Sequence, residues 1–248
     1  MKKLFTLCLS VCSILMGSAA IVQIDHVYYS LSGTEAYITN SNGSYNGVSS
    51  CADTINIPSS ITYGSRTYQV VRINDYAFRS CEALVQISLP ATVTSIYYGY
   101  ITFRGCTNLN NILIEPANPN YCSVDGVLFN KDTTQLILYP RGRQGAYSVP
   151  KTVTEIGAYA FEDCVGLTNI TIPEGVTIIG GGAFSGCTSL QSVVLPQTVT
   201  TLDYYAFGQC TNLASVTMPD NLTNVGEGIF EGCTSLTTPI YTSTAFLY

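Results

Sequence analysis

The sequence is poor in charge. Asp, Glu, Lys and Arg together make up 10% of its 248 residues, where an ordinary globular domain carries about 25%. Lys and Arg number 10 against 16 Asp and Glu, a formal charge of −6. Scattered cations in an acidic chain leave no electrostatic footprint for nucleic acid and no polybasic segment for anionic lipid. Tryptophan is absent, and histidine occurs once, as His26. A lone His away from any Ser or Cys motif gives no nucleophilic triad. G-x-S-x-G, H-E-x-x-H and the phosphate-loop pattern ending in G-K are also missing. No C-x-x-C pair occurs, and thiols spaced along a repeat form a line rather than a zinc tetrahedron. No cofactor motif is found. Helical i, i+3, i+4, i+7 spacing over ten residues is absent as well, so helix is limited to single turns. What is plentiful is apolar and hydroxylic. Hydrophobic residues make up 46%, with 18 Tyr, so the chain buries a core instead of staying disordered. Its surface must be built from Ser, Thr, Asn, Gln and Tyr.

The N-terminus reads as an address. Lys2 and Lys3 precede an apolar stretch from Leu4 to about Met16, and Gly17, Ser18, Ala19 and Ala20 follow as a small-residue cleavage site. This is the three-part layout of a secretory signal peptide over 1–20. The stretch is shorter than the ~20 residues a membrane-spanning helix needs, and no later segment is long enough, so no span is expected in the mature chain.

The rest is periodic. AFEDCVGL, AFSGCTSL, AFGQCTNL and IFEGCTSL place Cys164, Cys187, Cys210 and Cys233 at steps of 23 residues. Phe161, Phe184, Phe207 and Phe230 keep that step, as do Pro150, Pro173, Pro196 and Pro219. Phe78 with Cys81 and Phe103 with Cys106 open two earlier units. The Cys106–Cys164 gap of 58 is one step plus 35 extra residues. One unit is L-x-x-I/V-x-L/I/M-P-x-x-V/L-x-x-I/V/L-x-x-x-A/I-F-x-x-C. Val193-Val194-Leu195 shows strand alternation, and Pro196 closes it because proline cannot donate to a ladder. A single unit cannot bury its own apolar side. Stacked units can, each column becoming a ladder with strands ~4.8 Å apart.

These motifs resemble the BspA-like leucine-rich repeat, a family of bacterial and some protist surface proteins. The likeness runs from about Ile55 to Leu236. Asp203 in place of the turn Gly, Ile229 in place of Ala, and the Tyr97-Tyr98-Gly99-Tyr100 enlargement depart from it. The expected fold is a leucine-rich repeat solenoid: a parallel β-strand ladder with 23-residue coils, very little helix, and inserted β-hairpins. The resemblance implies an exported protein without catalytic residues, associated with adhesion to a host or bacterial surface protein or glycan.

Three segments break the period. Residues 21–50 read as a capping hairpin around Ser32-Gly33-Thr34 followed by a polar loop. Residues 51–248 form the solenoid, with hairpin insertions near 59–72, around Gly64-Ser65, and 121–149, around Asn130 to Thr133. Leu236 opens a further strand, but Thr237–Tyr248 returns no Phe-x-x-Cys. That end reads either as a degenerate cap or as a chain that continues.

Ladder cysteines fit buried thiols. Inter-coil disulfides are the alternative that export permits, and Cys51 and Cys122, both off the ladder, form a candidate bridge. Glu162-Asp163 reads as a solvated turn and Gly180-Gly181-Gly182 as turn chemistry. The candidate recognition surface comprises outward strand positions, Asn111, Asn169, Thr171, Ser192, Ser215 and Thr217, and turn tyrosines, Tyr97, Tyr98, Tyr100, Tyr204 and Tyr205. Tyr provides contact area at low entropic cost. The expected function is recognition or adhesion. A spacer arm carrying a further module is the alternative, and a secreted enzyme or enzyme inhibitor is a lesser one.

Overall fold

A computed structural model describes residues 20–40 and 51–237. The signal segment, Ala20 apart, the polar loop after Asn40 and the C-terminal end lie outside the described residues. The chain opens with a meander of β1 (Ala20–Ile24), β2 (Val27–Ser32) and β3 (Glu35–Thr39), all antiparallel. The expected hairpin at Ser32–Thr34 is β2–β3. A second turn precedes it, where Asp25 (φ 47°) and His26 (φ 68°) both adopt the left-handed conformation of a tight type I′ hairpin turn. His26 is exposed there.

Each coil then contributes two strands. The first coil holds β4 (Thr54–Asn56) and an antiparallel hairpin of β5 (Ser60–Tyr63) with β6 (Arg66–Ile73). The second holds β7 (Gln86–Leu89), β8 (Ser95–Ile96) and the one helix among the described residues, α1 (Gly99–Thr102). The third holds β9 (Asn111–Ile114), β10 (Tyr121–Val124), β11 (Val127–Asn130) and β12 (Gln135–Leu138). Four regular coils follow: β13 (Gly145–Ser148) with β14 (Glu155–Ile156), β15 (Leu167–Thr171) with β16 (Ile178–Ile179), β17 (Ser192–Val194) with β18 (Thr201–Leu202), and β19 (Ser215–Thr217) with β20 (Asn224–Val225). The result is a β-solenoid of about seven turns with almost no helix.

Two parallel ladders run along it. The longer strands pair as β4-β7-β9, β13-β15 and β17-β19. β12 and the two-residue strands pair as β12-β14-β16-β18-β20, and β8 pairs with β6. The sequence dictates this local path. Alternating apolar residues send Ile87, Ile112, Ile170 and Val193 inward. The proline then stops the strand, and its carbonyl accepts the N–H three residues on, as from Val153 to Pro150 and from Val199 to Pro196, both at 3.1 Å. The chain turns into the second ladder, where Thr177, Thr200 and Thr223 each donate their hydroxyl to the carbonyl of the threonine one coil earlier, at 3.2–3.3 Å. A turn at Phe-x-x-Cys brings it back, with the Cys N–H donating to the Phe carbonyl at 3.1 Å in Cys164, Cys187 and Cys233.

The core is a set of columns. Phe161, Phe184, Phe207 and Phe230 stack with ring centroids 4.8, 5.0 and 5.8 Å apart and planes within 18° of parallel. Fully burying a Phe contributes roughly 1.5–3 kcal/mol, and the offset stack adds to it. The cysteines behave as the buried-thiol reading expects, and each thiol has a partner. Cys106, Cys187, Cys210 and Cys233 donate to the carbonyl of the Phe one coil earlier at 3.0–3.2 Å. Cys81, in the first coil, has no such Phe before it and instead forms a disulfide with Cys51, their Cα atoms 5.5 Å apart. The candidate bridge from Cys51 to Cys122 is therefore corrected. Cys122 is free, donating to the Asn130 carbonyl at 3.2 Å. Its distance in the fold follows from its place in β10, two coils along the stack.

The third coil departs most from expectation. Residues 121–149 hold the antiparallel pair β11–β12 around Asn130 to Thr133, but this hairpin joins the solenoid instead of leaving it. The turn Asp125-Gly126 makes a further antiparallel pair, β10–β11, and β12 enters the second ladder in parallel with β14. Gly145–Ser148 pairs in parallel with β15 and so belongs to the first ladder. Tyr139 takes the place of a column Phe: its ring stacks on Phe161 at 4.9 Å, its N–H donates to Ala160, and its carbonyl is the acceptor nearest the Cys164 thiol. Two core clusters meet here, and alternate residues of β11 serve both, Leu128 one and Val127 with Phe129 the other.

Candidate recognition surface

The eleven residues expected to face a partner fall into two sets on different segments of the coil. The first set lies on the long-strand ladder. Ser192 pairs with Ser215 and Val194 with Thr217, while Asn169 and Thr171 sit opposite Ala146 and Ser148. All of these except half-buried Asn111 are exposed. Asn111 is covered because its carboxamide packs against Gly126 of the β10–β11 turn. The face carries no formal charge at these positions, and its most exposed apolar residue is Val194, at 65%.

The second set follows the short strands. Tyr97 and Tyr98 come directly after β8, and Tyr204 and Tyr205 lie two residues after β18. Their rings form a chain. Tyr97 meets Tyr98 edge-on at 5.0 Å, Tyr98 meets Tyr100 at 6.1 Å, and Tyr204 meets Tyr205 at 6.4 Å. Tyr159, absent from the expected set, joins the two halves. It stacks on Tyr100 at 4.2 Å, approaches Tyr204 at 6.3 Å, and donates its hydroxyl to the Tyr204 hydroxyl at 3.5 Å. The signal for it was present in the sequence. Tyr stands two residues before the column Phe at 76, 159 and 205, in each case with positive φ.

The aromatic ribbon thus spans coils that the sequence separates by more than one hundred residues. Tyr97, Tyr98, Tyr204 and Tyr205 are exposed by 42–57%. Tyr100 and Tyr159 are half-buried, and burial pushes both hydroxyls above the ordinary tyrosine range, helped at Tyr159 by the hydrogen bond to Tyr204. They remain neutral donors.

Elsewhere the surface offers little chemistry. An open groove of about 310 Å³ lies at the ends of β7 and β9, lined by Ile57, Leu89, Pro90, Leu113 and Glu115 among others. Its carboxylate, Glu115, already accepts the Ala91 N–H at 2.6 Å. Among the described residues no group of three or more His, Cys, Asp or Glu is placed to hold a metal ion, and no helix is long and apolar enough to cross a membrane.

Parallel strands stacked coil upon coil, with a buried leucine at most returns (Leu84, Leu109, Leu167, Leu190, Leu213), define a leucine-rich repeat solenoid. The BspA-type leucine-rich repeat region matches residues 49–124 and 145–246 in six copies, and the chain belongs to that family. Among solved structures it is similar to the pneumococcal vaccine antigen PcpA, with 20% identity, 89% of this chain and 81% of that one covered, and a TM-score of 0.56. It is also similar to a leucine-rich repeat protein from Bacteroides ovatus, with 25% identity and a TM-score of 0.50. That match covers 82% of this chain and 55% of the other, so the chain spans about half that protein's length. No curated protein matches the chain.

Proposed function

We propose that the protein is an exported, surface-exposed recognition protein that binds a host or bacterial surface protein or glycan, most simply in adhesion. The observation that carries this reading is the ribbon of six tyrosines laid over a rigid, hydrogen-bonded stack. Exposed aromatic rings on a scaffold that loses little freedom on binding are the composition of a paratope. Repetition along the stack favours many weak contacts over one pocket. Export is supported by the signal-peptide layout of 1–20 and by the Cys51–Cys81 disulfide, a bond suited to an oxidising compartment. The likeness to a vaccine antigen agrees with a surface location.

The test is a binding screen of the purified chain against matrix proteins, intact cells and glycan arrays. Saturable binding to one class is expected, lost when Tyr98 and Tyr204 are both replaced by Ser. Uniform absence of binding would leave the spacer-arm reading in its place.

A further inference from the structure

Charge is segregated along the chain. All ten Lys and Arg lie at or before Lys151, and the residues after it carry eight carboxylates and no Lys or Arg. The second half of the tyrosine ribbon is in this anionic half. Asp203 immediately precedes Tyr204, is exposed, and accepts the Tyr204 N–H at 2.8 Å. Glu227 follows on the next coil at the position equivalent to Tyr204, and its carbonyl accepts the Tyr205 N–H at 2.9 Å.

The rings themselves select a ligand chemistry. Tyr97 with Tyr98 lie at 86°, Tyr98 with Tyr100 at 66°, and Tyr204 with Tyr205 at 79°. They form walled corners whose π faces carry negative charge, the arrangement that holds a cation. The molecule already uses that contact internally. Guanidinium groups sit over Tyr37, Tyr76 and Tyr139 at 5.2–5.3 Å. Among the described residues no such contact covers Tyr97, Tyr98, Tyr204 or Tyr205.

We infer that the ribbon from Tyr97 to Tyr205 docks a basic polypeptide segment, its Lys or Arg side chains seated in the tyrosine corners and steered by Asp203 and Glu227. The inference rests on the recognition reading and narrows it to one class of partner. The corners lie on the second and sixth coils with Tyr100 and Tyr159 bridging them, so an extended segment laid along the stack meets one corner and then the other with side chains several residues apart.

The experiment measures binding of the full chain to a decapeptide of alternating Lys and Gly, with Ser-Gly and Glu-Gly decapeptides and a β-linked oligosaccharide as comparators. The basic peptide is expected to bind most tightly, and to weaken with salt. Y98S/Y204S should weaken it by about tenfold or more, and D203N/E227Q by about threefold or more. E174Q/D220N, which removes two carboxylates beside the proline turns, should leave it within about twofold. Circular dichroism and thermal melts confirm that each variant folds. Equal binding of all three peptides overturns the inference. So does an unchanged affinity in Y98S/Y204S, or a loss in E174Q/D220N as large as in D203N/E227Q, which would reduce the effect to net charge. Oligosaccharide binding that the tyrosine variant abolishes, with none for the peptide, overturns the basic partner while leaving the recognition reading intact.

Discussion

The Tyr205 ring occupies the space that a side chain on Gly228, one coil further on, would need: a Cβ there would lie 2.6 Å from Tyr205 Cε1. Tyr159 stands in the same relation to Gly182. All four residues have positive φ, so each projects its side chain along the stack onto the next coil. A large residue in one coil therefore requires a glycine in the next. The position before each column Cys alternates in the same way, Asp163, Gly186, Gln209, Gly232, again all at positive φ. The true structural period here is two coils.

Gly182→Ala tests this. The alanine meets the Tyr159 ring and also takes a left-handed backbone conformation that disfavours any Cβ. Overpacking costs about 1–3 kcal/mol and the backbone about 1–2 kcal/mol, so a loss of about 2–5 kcal/mol is expected in denaturant melts. Adding Tyr159→Ser should restore the steric share and leave the backbone share. A double-mutant cycle with no coupling would sink the two-coil period.

The second relationship joins the two core clusters. Arg141 is only 4% exposed, and it donates to the Phe103 carbonyl at 2.9 Å, to the Glu162 carbonyl at 2.7 Å and to the Glu162 carboxylate. Phe103 lacks a column cysteine on the following coil, and the guanidinium takes that acceptor instead. Burial nonetheless holds the Glu162 carboxyl above its ordinary pKa of 4.5, with Arg141 opposing the rise. A carboxyl raised in this way binds its proton more tightly folded than unfolded. The stability it contributes is present below its unfolded pKa and lost as pH rises through the folded one. Arg141→Met removes the opposing charge and leaves a buried carboxylate unpaired, an expected loss of about 3–5 kcal/mol at pH 7. The deficit should shrink as the pH falls through the raised folded value towards about 4.5. A deficit that is flat between pH 4 and pH 8 would show that Glu162 is not the group concerned.

What could be read in the sequence was whatever repeated. The Phe, Cys, Leu and Pro columns kept a constant phase, and the stack followed from them because only superposed coils bury those residues. The third coil escaped because Tyr139-Pro140-Arg141-Gly142 shares no letter with Phe-x-x-Cys. Its equivalence lies in what the backbone and rings do: Tyr139 stacks on Phe161, and Arg141 satisfies the carbonyl that a thiol would. The recognition residues were legible as exposed tyrosines but not as one ribbon. Continuity depends on Tyr159 reaching Tyr100 across the enlarged second coil and a third coil in which Tyr139 follows β12 directly, and no period encodes that distance.

Thiol reactivity should follow the columns. Burial pushes Cys106 up to about 12 and Cys164 and Cys187 higher still, and each thiol donates its proton to a carbonyl one coil earlier. The thiolate is the nucleophile, so these groups are inert in the folded chain. Cys122 is half-buried on β10, and burial raises it less fully, with Lys131 opposing. In the chain from Ile21 onward, a colourimetric thiol reagent at pH 8 should find Cys122 ahead of Cys106, Cys164 and Cys187, and Cys122→Ser should remove its share of the early phase. Cys164 and Cys187 should react only at the rate of unfolding. Rapid labelling of either in folded protein would contradict the ladder.

The Cys51–Cys81 disulfide closes the thiol column at its first coil, tying the segment before β4 to the Phe-x-x-Cys turn of the same coil across a sequence separation of 30. A loop of that length restrains the unfolded chain by about 3–4 kcal/mol on the chain-entropy model. Reduction, or Cys51→Ser, is therefore expected to lower stability by about that much. Cys81→Ala should cost more, because it also removes a fully buried group from the core. The effect should be local. β4 is the end strand of its ladder, with β7 as its one neighbour, so hydrogen exchange after Cys51→Ser should quicken at Ile55 and Ile57 while Ile179 and Leu202, in the middle of the second ladder, keep their protection. Uniform acceleration along the whole stack would mean that the coils unfold as one unit and that the disulfide acts on all of them. Acceleration confined to the first coil would make it a clamp on the end of a column whose later members are held by thiol hydrogen bonds alone.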